Sequence, residues 1–222
     1  RDKGDFHAEN IRRAQGTIIF DFVNPEGIVT DIELGVPVEV NIENAIAAMG
    51  AVWLTGEFDA ECVRRAMKSF RGPKRRFEFW MKEEGADGQV VIDDYAHHPM
   101  ELKRSIESVK ALYPGRELTV AFQPHLYSRT RDFAPEFAEA LSLADNVVLL
   151  DIYPAREEPI PGVTSEIIFK DITSPRKQLI KKSQLVSVIG EQHPSLLLTA
   201  GAGDICNYLP EIVETLASKT QC

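Results

Sequence analysis

The chain of 222 residues is poor in cysteine, with three, and Cys62, Cys206 and Cys222 stand in no CxxC or other metal-ligand spacing. Cysteine-based metal sites are thereby set aside. Cys62 and Cys206 fall in helical patterns as buried thiols, and the usage fits a reducing, cytoplasmic setting. No apolar run approaches the roughly 20 residues that cross a bilayer, and the charged start Arg1-Asp2-Lys3-Gly4-Asp5 is unlike a signal peptide. Basic charge is in the minority: 25 Lys and Arg stand against 34 Asp and Glu, a net charge of -9. That balance argues against non-specific nucleic-acid or anionic-membrane binding, although Lys74-Arg75-Arg76 is a local patch able to hold a phosphate. Nothing matches GxxxxGK(S/T), the loop whose amides and lysine cradle nucleotide phosphates. No internal repeat or low-complexity segment is present, and the lack of an initiating Met hints at a piece of a longer protein.

What is present is an ordinary globular composition, 44% hydrophobic and 27% charged, long enough for one large or two modest domains. Thr17 to Val23 alternates β-forming residues, Asn24-Pro25-Glu26-Gly27 supplies a turn, and Ile28 to Leu34 continues the alternation, predicting a hairpin. Beyond Pro37 the pattern is helical from Asn44 to Thr55, then again in a helix capped by Asp59 that carries Val63, Ala66, Met67 and Phe70. Gly72-Pro73 ends it and marks a boundary between residues 1–72 and 73–222. From there Phe77 to Met81 and Val90 to Ile92 flank a Gly85-Ala86-Asp87-Gly88 turn. Strands at Leu118 to Phe122, Asn146 to Leu150 and Leu196 to Thr199 then alternate with helices near Glu101 to Leu112, Pro135 to Ser142 and Asp204 to Leu216. The expected class is α/β, a Rossmann-like, mostly parallel sheet with flanking helices, because parallel strands need long crossovers that are normally helical.

Two strand ends carry concentrated polar chemistry. After Val90-Val91-Ile92 comes Asp93-Asp94-Tyr95-Ala96-His97-His98-Pro99, which reads as strand, site loop and helix, with Pro99 opening the helix. After Leu118 to Phe122 comes Gln123-Pro124-His125-Leu126-Tyr127-Ser128-Arg129-Thr130-Arg131. Polar groups beyond parallel strands lie where such sheets bind ligands, so His125 and Arg129 are candidate contacts from position alone. Plainer roles stand beside the others: Asp94 as a helix cap, one of the adjacent histidines as a packed loop residue, and Asn44 as a helix-start residue. Likewise Arg75-Arg76 reads as a solvated charge run and Tyr153 to Glu158 as a surface loop. Thr199-Ala200-Gly201-Ala202-Gly203-Asp204 either lets a phosphate approach helix amides or eases a tight turn, and it is not a full GxGxxG.

Four segments in order, Asp93-Asp94-Tyr95-Ala96-His97-His98-Pro99, Phe122 to Thr130, Tyr153-Pro154-Ala155-Arg156-Glu157 and Gly201-Ala202-Gly203-Asp204-Ile205, resemble the Mur ligase family, in its branch that joins L-alanine to UDP-N-acetylmuramate. The resemblance covers nearly the whole chain. Asn41-Ile42-Glu43-Asn44-Ala45 is similar to the end of the family's central ATPase domain, and Arg75-Arg76-Phe77 to its junction with the carboxy-terminal domain. It implies that residues 1–72 close the central domain, that 73–222 form the carboxy-terminal domain, and that Gly72-Pro73 serves as a hinge between them. It further implies ATP with Mg2+, an acyl-phosphate route, and a bacterial cytoplasmic setting. The implied partners are UDP-N-acetylmuramate, L-alanine and the missing amino-terminal and central segments, with neither nucleic acid nor membrane. By position, Asn44 resembles the adenine reader, Arg76 the residue that reaches the nucleotide, and Asp94 the ribose-binding carboxylate. Tyr95, His97, His125 and Arg129 resemble the groups facing alanine; His97, His125 and Arg129 form the implied catalytic set, and no metal ligand is assigned.

Two departures accompany the resemblance: Val38-Glu39-Val40 stands where the family carries Gly and His, and both the phosphate loop and the uridine-nucleotide domain are missing. The 222 residues alone are therefore expected to be inactive. Competing readings are a recycling ligase that adds a preformed peptide, a metal-dependent phosphoesterase and a non-catalytic nucleotide-binding module. Phe122 to Thr130 is nearer the alanine-adding branch than the recycling one. The esterase lacks an Asp-x-Asp run and has Ala96 where it needs Asp.

Overall fold

The computed structural model describes residues 4–219 except 15, 84, 86 and 87, so Ala86 and Asp87 of the expected turn, and Cys222, lie outside the described residues. The chain divides into two compact units, Arg1–Pro73 with Ala111–Pro114 and Lys74–Lys110 with Gly115–Cys222.

The first unit holds a three-stranded antiparallel sheet ordered β1 (His7–Ala14), β2 (Thr17–Asn24), β3 (Gly27–Glu33). Alternation in β2 buries Phe20 and Phe22 completely, and the β2–β3 turn is fixed where the Asn24 side chain accepts the Glu26 amide at 2.9 Å. β1 has no apolar alternation to predict it. It is held by the ladder and by charge, with Arg12 reaching both Asp21 and Asp31. Helices α1 (Val40–Leu54) and α2 (Ala60–Ser69) follow, and Asp59 caps α2 by accepting the Cys62 amide at 2.6 Å. Two expectations fail here. α2 stops at Ser69 and buries only Val63, so Cys62 is exposed and Phe70, beyond the last turn, is 58% exposed.

The second unit is a six-stranded sheet ordered β4-β5-β9-β6-β7-β8. Its strands are β4 (Glu78–Lys82), β5 (Val90–Asp94), β6 (Thr119–Phe122), β7 (Asn146–Leu150), β8 (Arg176–Ile180) and β9 (Leu196–Ala200). All neighbours are parallel except β4, which pairs antiparallel with β5. Its helices are α3 (Pro99–Leu112), α4 (Tyr127–Asp132), α5 (Ala134–Leu141), α6 (Glu166–Phe169), α7 (Leu185–Gln192) and α8 (Leu209–Lys219). β6, β7 and β9 are buried along their whole length, as strands covered on both faces must be.

Winding runs outward from β5 through β6 and β7 to β8, then returns to place β9 between β5 and β6. Right-handed crossovers put α3, α4, α5 and α6 on one face and α7 on the other. α7 and α8 close the second face over Val91, Ala121, Val148 and Leu197. Sheets wound this way bind ligands beyond the carboxyl ends of the strands at the reversal, here those of β5, β9 and β6.

Expected and observed elements differ where charge breaks the pattern. β8 escapes prediction because Arg176, Lys177 and Gln178 leave no apolar run on this edge strand. The last helix is preceded by a 3-10 turn, Ile205–Tyr208, which leaves Cys206 half-buried and not sealed in a core. Phe77 sits outside β4 with a φ of 51°. Among the described residues no helix is long and apolar enough to cross a membrane.

The turn after β9 is built on close approach. A Cβ at Gly203 would lie 2.2 Å from Gln123 Oε1 and 2.8 Å from Tyr153 Cβ, and Gln123 is only 1% exposed. Gly203→Ala is therefore expected to lower unfolding stability by about 2–4 kcal/mol, combining overpacking with a displaced buried amide. Urea unfolding at unchanged m-value checks this; an unshifted midpoint would show that the turn has room to spare.

Candidate active site at the carboxyl edge of the sheet

Asp93, near the end of β5, has a side chain with no solvent exposure. Its register partner on β9, Thr199, donates its hydroxyl to Asp93 Oδ1 at 2.7 Å, and Arg75 Nε donates to Oδ2 at 3.2 Å. Burial pushes the Asp93 carboxyl up, while Thr199 and the Arg75 charge pull it back. The same guanidinium donates to the carbonyls of Gly201 and Gly203. It also lies over the Tyr95 ring, with Cζ 4.9 Å from the centroid, and the Tyr95 amide donates back to the Arg75 carbonyl at 2.7 Å. Arg75 thus joins the approach to β4, the end of β5 and the turn after β9.

Asp94 projects to the opposite face of β5, toward α3. It accepts the Ser105 hydroxyl and, at 3.4 Å, the Phe77 amide. Burial raises its carboxyl, and these two donors oppose that shift.

The two histidines of the β5 loop part company. His97 Nδ1 lies 3.0 Å from the Tyr95 carbonyl and 3.3 Å from a Glu101 carboxylate oxygen, both acceptors, so Nδ1 donates, and in the neutral ring Nε2 presents a lone pair. Its ring meets Tyr95 at 5.3 Å and His125 at 6.3 Å between centroids. His98 turns away: its Nδ1 accepts the Met100 amide at 3.3 Å and its ring packs 5.1 Å from Phe133. Glu101 accepts the amides of both histidines. Although burial works to raise it, those bonds and the nearby imidazoles hold its carboxyl below the ordinary range.

From the β6 loop, His125 stacks on Tyr153 at 5.8 Å and 19°. Burial first, then the charges of Arg129 and His97, push the His125 imidazole down, with Glu157 opposing. His125 Nδ1 and Arg129 Nη1 are both buried and find no hydrogen-bond partner among the described residues. A neutral ring and a guanidinium therefore stand together at the rim, both unsatisfied.

Of the residues singled out in the sequence, Tyr95, His97, His125 and Arg129 gather at this rim, and Asp94 lies on the same strand end but faces α3. Arg76 is exposed and makes no hydrogen bond or ion pair among the described residues. Asn44 belongs to the first unit, exposed on α1, with its amide donating to Asn41 Oδ1 at 3.1 Å. Arg75 corrects the solvated-run reading, since its partner Asp93 is sealed in the sheet and draws it inward. The glycine turn is corrected too: Gln123 fills the space where a phosphate would approach, donating to Asp204 at 2.7 Å and accepting the Ile205 amide at 2.9 Å. Sequence reasoning missed Gln123 and the partnership of Arg75 with Asp93. The available signal was a pair of polar residues, Asp93 and Thr199, at matching ends of two apolar strands.

Comparison with known proteins places this geometry in context. The profile of the family described as "Mur ligase, glutamate ligase domain" matches residues 75–206. The UDP-N-acetylmuramate–L-alanine ligase of Parabacteroides distasonis is 54% identical over 97% of this chain and 46% of its own length. That of Phocaeicola vulgatus is 51% identical over 99% of this chain and 47% of its own length. The crystal structure of UDP-N-acetylmuramate–alanine ligase from Thermotoga maritima superimposes with a TM-score of 0.77 at 26% identity, covering 99% of this chain and 47% of that one. Folylpolyglutamate synthase from the same organism shares the fold, with a TM-score of 0.71 at 18% identity over 97% of this chain and 47% of that one. The chain spans about half the length of the curated relatives it matches. With a family profile matched across more than half of its residues and a parallel sheet whose reversal point carries the polar rim, this chain belongs to the Mur ligase family.

Proposed function

We propose that this rim is the amino-acid-facing wall of an ATP-dependent ligase that joins L-alanine to UDP-N-acetylmuramate in the bacterial cytoplasm, for peptidoglycan synthesis. The observation that carries the reading is the unsatisfied pair, His125 Nδ1 and Arg129 Nη1, at the strand ends where the sheet reverses. Each buried, unpaired donor costs about 1–3 kcal/mol. The carboxylate of an amino acid answers both: one oxygen accepts from the guanidinium and the other from the imidazole N–H. The names of the relatives supply the identity of the amino acid and its acceptor.

In that reaction the γ-phosphoryl group of ATP passes to the muramyl carboxylate, the alanine amine attacks the acyl carbon, and phosphate leaves as its C–O bond breaks. Arg129 and His125 hold alanine by its carboxylate so that the amine faces the acyl carbon. His97, with Nδ1–H committed to the Tyr95 carbonyl, offers the Nε2 lone pair to the amine proton. Asp94 accepts from Ser105 and from the Phe77 and Tyr95 backbone, which leaves about one of its roughly four lone-pair sites for a ribose hydroxyl. Asn44 and Arg76, both exposed, suit adenine and nucleotide recognition. Among the described residues no group of three His, Cys, Asp or Glu side chains converges on a metal position. Mg2+ commonly rests on substrate phosphates, waters and one or two carboxylates, and would supply charge neutralisation at the nucleotide phosphates.

Three outcomes are expected. In the full-length protein, Arg129→Ala raises the KM for L-alanine by roughly 10²-fold, the usual consequence of stripping a buried partner from a bound carboxylate, and leaves the KM for ATP unchanged. Steady-state kinetics with L-alanine and with a preformed peptide decide this, and a preference for the peptide would move the reading to a recycling ligase. kcat/KM for L-alanine shows no limb at or above the ordinary imidazole value of about 6.5, because burial and the Arg129 charge keep His125 neutral there. A limb at or above that value would remove His125 from the binding step. Finally, the 222-residue chain alone releases no phosphate from ATP, as it has no phosphate loop; measurable turnover would contradict this.

A further inference from the structure

The loop after β7 sends Glu157 across to the start of α4. One carboxylate oxygen accepts the Ser128 amide at 2.9 Å and the other accepts the Ser128 hydroxyl. The helix has no cap of its own: Leu126, at the capping position, makes no side-chain hydrogen bond and holds a φ of 71°, a region L side chains rarely occupy. The same two loops are laced by backbone, with Leu126 N donating to the Tyr153 carbonyl at 2.9 Å and Tyr153 N donating to the Pro124 carbonyl at 2.8 Å. The Leu126 carbonyl accepts the Thr130 amide at 3.1 Å and the Thr130 hydroxyl at 2.8 Å. A strained residue fixed from several sides, directly between His125 and Arg129, marks a segment preset for a ligand.

We propose that Glu157 is a positioning residue for the amino-acid carboxylate: it touches no substrate, but by gripping Ser128 it sets the spacing of His125 and Arg129 on either side of Leu126. The inference rests on the amino-acid-site reading given above. Around the His125 ring stand Arg129, His97, Glu157 and the stacked Tyr153, and Glu157 is the group that favours the protonated ring. Removing its charge therefore lowers the His125 titration further, in addition to loosening the turn.

The test compares Glu157→Gln, Ser128→Ala and the double substitution in the full-length protein. Each single change is expected to raise the KM for L-alanine, by roughly tenfold for Glu157→Gln, with kcat within about twofold, as misplacement of a binding group predicts. The double raises it by less than the product of the singles, because both cut one link. In NMR titrations the His125 imidazole moves to lower pH in Glu157→Gln and stays in place in Ser128→Ala. Independent, multiplicative effects, a loss confined to kcat, or an unmoved His125 titration would overturn the proposal. Should Glu157→Gln lose its cooperative melt, Ser128→Ala carries the kinetic comparison. If the unsubstituted protein fails to ligate L-alanine, the amino-acid reading falls, and the His125 titration still decides whether Glu157 sets that segment.

Discussion

The sealed carboxylate of Asp93 is the constraint from which the rim is built. A charge with no solvent exposure has to be answered by the protein, and it is answered by Thr199 from the neighbouring strand and by Arg75 from outside the sheet. Breaking such a pair by removing one partner typically costs about 3–5 kcal/mol, so the geometry of Arg75 is not free to drift. Its remaining donors then fix the carbonyls of Gly201 and Gly203, and its flat face seats Tyr95. This explains why Arg75 accepts a φ of 59°, unusual for an L residue: the backbone follows a side chain with several fixed partners. A Lys at this place has one point charge and no fork to span three acceptors and a ring.

A second level of order is electrostatic. His125 and Arg129 sit close enough for the guanidinium to disfavour a second positive charge, and burial acts in the same sense. A neutral imidazole beside a permanent cation leaves one neutral and one charged group side by side at the rim. His97 adds a third ring in the same cluster, and its bond to the Tyr95 carbonyl sets which nitrogen faces outward. Tyr95 is itself seated by Arg75, so the orientation of His97 is coupled through one peptide and one ring to the buried pair at the end of β5.

Much of the fold was readable because apolar runs and long crossovers are properties of local sequence. Val90 to Ile92, Leu118 to Phe122, Asn146 to Leu150 and Leu196 to Thr199 emerge as parallel strands for that reason. β1 and β8 were not readable, because their stability comes from neighbours and from charge pairs that leave no period in the chain. The insertion of β9 between β5 and β6 is likewise a tertiary choice, and it is what lets loops from strands that are not neighbours bring His97 and His125 to 6.3 Å. The candidate site was legible as polar clusters at strand ends. The division of labour inside each cluster was not: His97 faces His125 while His98 packs on Phe133, and Arg75 turns inward while Arg76 stays exposed.

The turn after β9 shows how one fold class can keep its architecture and move its ligand chemistry. In dinucleotide-binding sheets a small-residue turn leaves helix amides open to a phosphate. Here the glycines serve a side chain instead. Gly201, at a φ of 134°, and Gly203 let Gln123 pass within contact, and its amide takes both the Ile205 N–H and an oxygen of Asp204. Lys182 occupies the other Asp204 oxygen, and although burial raises that carboxyl, Lys182 and Gln123 together hold it low. The Ile205 amide and both Asp204 oxygens at this corner are thus committed to partners within the protein. On the β6 loop beside this corner, the buried His125 Nδ1 and Arg129 Nη1 find no hydrogen-bond partner among the described residues.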